Sequence, residues 1–198
     1  MSDFLRVRMK IHRLTVPMVS FMLSLLMTGV FAGEGGVIAR IDPNTGLKSW
    51  QFEGDGLGIE FVQVSPDFIR ASYAARGLPK ELIESVATQC VFGSIVRNIG
   101  DQPLSYNVAN WRYLTADAAE YKIRTKTQWL EQWHSMGVRF SWSILADDVT
   151  FSEGDWIQGF TTIPEPHGSH VEIKVVWSIA GQQHEKILPN LECAPAPE

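Results

Sequence analysis

Short apolar-rich runs bounded by turn signals, two of them alternating with a period of two, recur along most of this chain after residue 36, and the few stretches with a helical period are short. Residues 37–41 and 47–52 are apolar-rich runs around the turn Asp42-Pro43-Asn44-Thr45-Gly46, which predicts a β-hairpin. Residues 57–64 read as a third strand. Ser65 before Pro66 pairs a helix N-cap with the residue tolerated at the first helical position, so a helix is expected from Pro66 to about Arg76, stopping at Gly77. Pro79 opens a second helix to about Gln89, with Leu82, Ile83 and Val86 on one face. After that the chain turns to strands, at 90–98, 104–113 and briefly 119–124. Thr125 and Gln128 have capping-box spacing and Gly137 supplies a stop, predicting a third helix over 126–136. The alternation then predicts strands at 138–145, with Val138, Phe140, Trp142 and Ile144 on one side, and, after an acidic loop, at 156–163. Two more follow at 170–179, with Val171, Ile173, Val175 and Trp177 inward, and at 184–188. The tail from Ala194 alternates Pro and Ala and is expected to be loose.

Seven or more short strands at intervals of about ten residues predict an antiparallel β-sandwich of immunoglobulin-like architecture, with two or three short helices inserted. Residues 66–89 form an N-terminal helical insert. No repeat or internal linker appears, so residues 33–198 are read as one domain.

The first 32 residues have a different pattern. Arg6, Arg8, Lys10 and Arg13 make a basic start, and residues 14–32 carry no charge and are mostly apolar. Val30-Phe31-Ala32 ends on the small and short residues that signal peptidase accepts, so residues 1–32 read as a signal peptide and Gly33 as the mature N-terminus. The rival reading is an uncleaved anchor, since 19 residues span a bilayer marginally. Ser20, Ser24, Thr28 and Gly29 dilute the run, and no basic stop-transfer residues follow it. The chain is therefore expected to be exported, to the periplasm in a Gram-negative cell and otherwise to the medium, without stable membrane insertion after cleavage.

Removing the signal leaves 166 residues, enough to bury one core. They carry 13 basic against 21 acidic side chains, a charge of −8. Nucleic acid and anionic membranes both demand clustered positive charge, so neither is an expected partner.

Two cysteines, Cys90 and Cys193, remain. In an oxidising compartment an isolated pair most simply forms one disulfide, here closing a loop of about a hundred residues and contributing about 4–5 kcal/mol in the loop-entropy model. No CxxC is present and no His neighbours either Cys. His167 and His170 lie in a Pro/Gly loop between predicted strands, and a loop pair of neutral imidazoles is a candidate Cu(II) or Zn(II) site. His184, at the other end of its strand, is expected at the opposite rim. Met136 is the only methionine after the signal, which argues against a Met-rich Cu(I) carrier.

All seven tryptophans lie after the signal. Trp129, Trp133 and Met136 fall on one helix face, and Trp142 and Trp177 on predicted inward faces, so these read as core. Trp156 differs. It ends the acidic turn Ser152-Glu153-Gly154-Asp155, and an exposed Trp beside Glu153 and Asp155 is suited to stacking a sugar ring or anchoring a protein. Catalytic patterns are missing: there is no G-x-S-x-G elbow and no HExxH. Asp147, Asp148, Glu153 and Asp155 are the candidates for a carboxylate pair, but acidic turns are ordinarily solvated and a glycosidase needs a deeper cleft.

Residues 39–50, Ala-Arg-Ile-Asp-Pro-Asn-Thr-Gly-Leu-Lys-Ser-Trp, resemble one blade motif of quinoprotein-type β-propellers. A propeller repeats its motif every roughly 40–50 residues, and this one occurs once, so the stretch is read as a hairpin with no quinone cofactor. The same stretch places Asp42, Asn44 and Glu53 at calcium-loop positions, but Leu47 stands where such a loop needs Gly. The expectation is an exported cell-envelope binding or assembly protein without catalytic activity, taking an envelope protein or a small ligand. The alternatives are a Cu/Zn-handling protein using His167 and His170 and a carbohydrate-binding module using Trp156.

Overall fold

A computed structural model describes residues 36–196. The signal-peptide reading of residues 1–32 lies outside them, as do the last two residues of the tail. The chain is a β-sandwich of two antiparallel sheets with three helices. Sheet A runs β1 (Ile38–Ile41), β2 (Lys48–Gly54), β3 (Leu57–Gln63), β4 (Cys90–Asn98) and β9 (Trp156–Ile163), in that spatial order. Sheet B is built around β10 (His170–Ile179). On one side of it lies β11 (Gln182–Glu192). On the other, β5 (Leu104–Asn107) and β6 (Arg112–Leu114) share its length and are flanked by β8 (Asp148–Phe151) and β7 (Glu120–Lys122).

The inward residues of each strand, set by strict alternation, interdigitate between the sheets. Trp50, Phe52, Phe61 and Phe92 of sheet A meet Tyr106, Ile173, Val175 and Trp177 of sheet B and Trp111 of the link between β5 and β6. Phe52 lies 6.1 Å from Trp177 and Phe61 6.3 Å from Trp111, ring centre to ring centre. The polar ends of the buried indoles are satisfied by backbone: Trp111 Nε1 donates to the Val176 carbonyl and Trp177 Nε1 to that of Asp55.

The helices make a third layer, on the outer face of sheet A. In α1 (Pro66–Ala74) the Ser65 hydroxyl accepts from the Phe68 amide; α2 is Lys80–Ala87. In α3 (Lys126–Ser135) Thr125 and Gln128 form the capping box reciprocally, and the Asp147 carboxylate accepts from the Lys126 and Thr127 amides as well. Ile69, Tyr73, Leu82, Val86, Trp129 and Trp133 pack together over Val91 of β4. Trp129 Nε1 donates to the Thr162 hydroxyl of β9, and the Arg124 guanidinium lies 3.7 Å over the indole. Cys90 and Cys193 are bonded, tying the start of β4 to the chain just after β11 and so joining the two sheets.

Four expectations are corrected. The strand over 138–145 does not form: Gly137 turns the chain with φ 78°, and only Ile144 makes an isolated bridge, with Phe160. Val138, Phe140 and Ile144 pack into the helical cluster, and Leu145, off that phase, into the sandwich core, so three of the four alternating residues share one destination without forming a strand. Trp142, expected inward, is 76% exposed. The run 104–113 is broken by a 3-10 turn at Val108–Asn110, because the Asn107 side chain accepts from the Ala109 amide. The acidic stretch before Trp156 contains β8, and the last strand runs on through Pro189. A register shift against Val171–Ile173 and a left-handed Asn190 (φ 57°) let that proline sit at an irregularity.

Candidate functional site

The outer face of sheet A is covered by helices at one end only. Alternation and register place Phe160, Gln158 and Trp156 of β9 in one row on it. Gly93, Ile95 and Arg97 of β4 stand beside them, then Val62, Glu60 and Gly58 of β3. The helical layer reaches as far as Phe160 and stops. Where it stops, a groove of about 460 Å³ opens, floored by Val62, Gly93, Ile95 and Gln158 and walled by Phe68 of α1 and Trp142. A second lobe of about 200 Å³ runs on between α1 and Phe140, reaching Ser72 and Arg76.

Local backbone chemistry builds the walls. In α1 the buried phase is Pro66, Ile69 and Tyr73; Phe68 is out of phase with it and is left 56% exposed over the groove. Opposite, Ser143 takes φ 77°, a region sparsely populated for a residue with a side chain, and the chain reverses there. Its carbonyl accepts from the Phe160 amide, and the Leu145 amide donates back to the Phe160 carbonyl. This close approach needs Gly159, since a Cβ there would stand 2.5 Å from the Leu145 Cα. The Ser143 hydroxyl is fixed by the Tyr73 hydroxyl at 2.6 Å, and burial raises the Tyr73 pKa, so that group remains a neutral hydrogen-bonding phenol. The effect of these constraints is to pin the segment at 143–145 and hold Trp142 out in solvent.

Trp156 stands at the far end of the same face, 59% exposed and four residues, about 13 Å of strand, from Phe160. The two candidate carboxylates beside it have separate placements. Asp155 shapes the turn, its carboxylate accepting from the Ser152 amide and its carbonyl from Asn98; Glu153 is exposed on the turn. Beside Trp156, across β4, β2 and β1, the open face carries polar side chains. The Arg97 guanidinium donates to Glu53 at 3.1 Å, Gln51 to Glu53 at 2.9 Å, and Arg40 to Gln51. Glu60 lies beside Gln51 and Ile95 in register.

The His loop lies away from this face, near the disulfide. His167 Nε2 is 3.0 Å from the Ala87 carbonyl at the end of α2, and Cys193 and Ala194 pair with Ser169 and Gly168. This interaction ties the loop to α2, while the pairing anchors the start of the tail; Cys193 and Ala194 are buried. His170 is exposed, its Nε2 3.6 Å from Glu192, and borders a smaller hollow of about 250 Å³ with Leu114 and Glu172. No three His, Cys, Asp or Glu side chains gather as a metal site among the described residues. His184 lies at the other end of β10, stacked on Trp177 and 3.7 Å from Asp55. Of the acidic residues considered for catalysis, Asp147 caps α3 and Asp148 lies on β8.

Fold and site together define the class: a disulfide-linked β-sandwich with a helical third layer and an open aromatic-lined groove on one sheet face. No protein-family model matches the chain, and no curated protein matches it significantly. Among solved structures, the crystal structure of the yjhA protein from Bacillus subtilis is similar at a TM-score of 0.38 and 12% identity. The match covers 71% of this chain and 96% of that one.

Sequence reasoning singled out Trp156 but missed Phe68, Trp142 and Gln158. Two of these were within reach. Phe68 is visibly off the apolar phase of α1, and alternation from Trp156 puts Gln158 and Phe160 on its face. The exposure of Trp142 depends on the turn at Ser143, for which the local sequence carries no glycine or asparagine signal.

Proposed function

We propose that this chain is an exported, non-catalytic binding protein of the cell envelope that engages its target across the open outer face of sheet A. The observation that carries this reading is the sorting of the tryptophans. Trp50, Trp111, Trp129, Trp133 and Trp177 are at most 4% exposed, whereas Trp142 and Trp156 are 76% and 59% exposed and border the same open sheet face. Tryptophan is ordinarily well buried, and exposed indoles in a rimmed groove are a recurrent feature of contact surfaces. The basic start and apolar run of the first 32 residues support export.

The test places a photo-crosslinking residue at Trp142, at Trp156 and, as a control on sheet B, at the exposed Tyr121, and irradiates intact cells. Adducts are expected from the first two positions and not from the third, on a protein whose N-terminus is Gly33. Equal labelling at all three positions, or labelling at none, overturns the reading.

A further inference from the structure

We infer that the free edge of β1 is a pairing edge for a second copy of this chain, so that the two five-stranded sheets join antiparallel, β1 to β1, about a two-fold axis through Ala39. The inference goes beyond the binding reading above and shares with it only the removal of residues 1–32. Three observations point the same way.

The first is how the sheet edges are finished. β11 carries Pro189, a register shift and a left-handed Asn190. β9 is bridged at Phe160 by Ile144, and the short β7 and β8 carry Glu120, Lys122 and Asp148. Devices of this kind keep an edge from pairing. β1 is different. It pairs with β2 on one side and with nothing on the other among the described residues. All its residues are exposed, with Ile38 at 52% and Ile41 at 64% on opposite faces. Its one charge, Arg40, is turned back over β2, where it donates to Gln51.

The second is main-chain direction. The Asp42 amide donates to the Leu47 carbonyl, which continues the β1–β2 register with a hydrogen-bonded pair. Bonded and non-bonded pairs alternate, so Arg40 and Ile38 spend their main-chain groups on β2. The N–H and C=O groups of Ala39 and Ile41, and by the same alternation those of Val37, point to the free edge. Once residues 1–32 are gone, residues 33–35 precede the described chain and residues 197–198 follow it. Neither piece is long enough to turn back as a strand, so a strand on this edge comes from another molecule.

The third is self-complementarity. Directly opposed residues of an antiparallel pair share a face, so the two-fold axis passes through a residue and not between two. An axis through Arg40 would oppose two like charges and face main-chain groups already spent on β2. Axes through Ile41 or Val37 would run the pairing into the Pro43 turn or off the end of the chain at Gly33. An axis through Ala39 opposes Val37 to the second copy's Ile41, and Ile38 to the second copy's Arg40, whose methylene stem covers the isoleucine. The outward main-chain groups of Val37, Ala39 and Ile41 are then all paired, in about six hydrogen bonds. The contact closes on itself and recruits no third copy. It is smaller than a standard interface, so the dimer exchanges readily. Both copies turn the outer face bordered by Trp142 and Trp156 to the same side of the joined sheet.

The protein purified after export is tested by sedimentation velocity and by cysteine cross-linking. A monomer–dimer equilibrium is expected between about 10 μM and 1 mM, the range open to a contact of this size. Opposed residues of a hydrogen-bonded pair lie about 5.5 Å apart, within disulfide reach, so A39C should link to itself under mild oxidation. I38C and R40C should each stay unlinked alone and link when mixed. E153C, exposed on the turn before β9, gives the rate of chance collision, and A39C should exceed it at least tenfold. A39P removes an outward N–H and should abolish the dimer with circular dichroism unchanged, whereas I41K should weaken it tenfold or more and I41V should not. A monomer throughout the range overturns the inference, as does A39C linking no faster than E153C, I38C linking to itself as fast as A39C, or a dimer that ignores A39P. If any of these is found on a protein beginning at Gly33, the dimer inference fails and the export reading stands. If the purified chain still carries residues 1–32, both fail.

Discussion

The two ends of the outer face of sheet A are made by the same two strands and have opposite fates. At one end Val91 of β4 faces Thr162 of β9, and both are buried under Trp129 and Trp133 of α3. Six residues further along β4, about 20 Å, Arg97 faces Trp156, and the indole stands in solvent. Strand geometry and side-chain period are the same at both ends. The difference is the third layer, which covers Val91 and Thr162 and ends at Phe160. Whether a tryptophan on this face is core or contact surface is thus decided by helices distant in sequence, not by the strand that carries it.

The sharpest way to break this comparison is to truncate one tryptophan at each end. Trp129→Ala removes a fully buried indole, its hydrogen bond to Thr162 and its contact with Arg124, and should cost about 3–5 kcal/mol in urea unfolding. Trp156→Ala should change stability by no more than about 0.5 kcal/mol, as expected of a surface substitution. Comparable losses at both ends would mean that the open end is packed like the covered one.

A smaller effect is expected at the boundary between the ends. Gly159→Ala sets a Cβ against the backbone of Leu145, which has no flexible side-chain tip to yield. It should cost about 1–3 kcal/mol and displace the Ser143–Leu145 bridge, moving the fluorescence of Trp142 while leaving the β-sheet circular dichroism intact. An unchanged melt and spectrum would show that the wall of the groove is not held by this approach.

The smallest effect concerns the helical layer itself. Hydrogen bonds from the Arg70 guanidinium hold the Glu84 carboxyl below its usual range, linking α1 to α2. A carboxyl with a depressed folded pKa stabilises the fold above its unfolded pKa and loses that contribution as pH falls through the folded value. The link should therefore weaken below about pH 4, and Arg70→Gln should flatten that part of the acid titration of stability. Both side chains are more than a third exposed, so solvent screening keeps the change slight. A steep loss of helicity near neutral pH would contradict it.

The strands with clean alternation were legible in the sequence, since β4, β9 and β10 span the stretches their periodicity marks, and so were the three helices with their caps at Ser65 and Thr125. The stretch from Val138 to Leu145 was not. Its alternation is real, but Val138, Phe140 and Ile144 serve the helical cluster while Trp142 between them stands in solvent, and no local rule distinguishes that arrangement from one strand face. Of the candidate site, Trp156 was legible because an indole beside an acidic turn is unusual. Trp142 was not, because its exposure is imposed by a bridge to β9 some fifteen residues away in sequence.

The bond between Cys90 and Cys193 closes a covalent ring that contains β4, α3, the Trp142 segment, β9 and all of sheet B, and leaves β1 to β3 with α1 and α2 on a branch outside it. Tension applied between the two ends of the chain passes from Cys90 straight to Cys193 and bypasses the 102 residues between them. Both exposed tryptophans are therefore off the mechanical load path. A protease that cuts once within that ring likewise leaves one covalently continuous molecule, with the two parts of the nicked chain still held at their far ends.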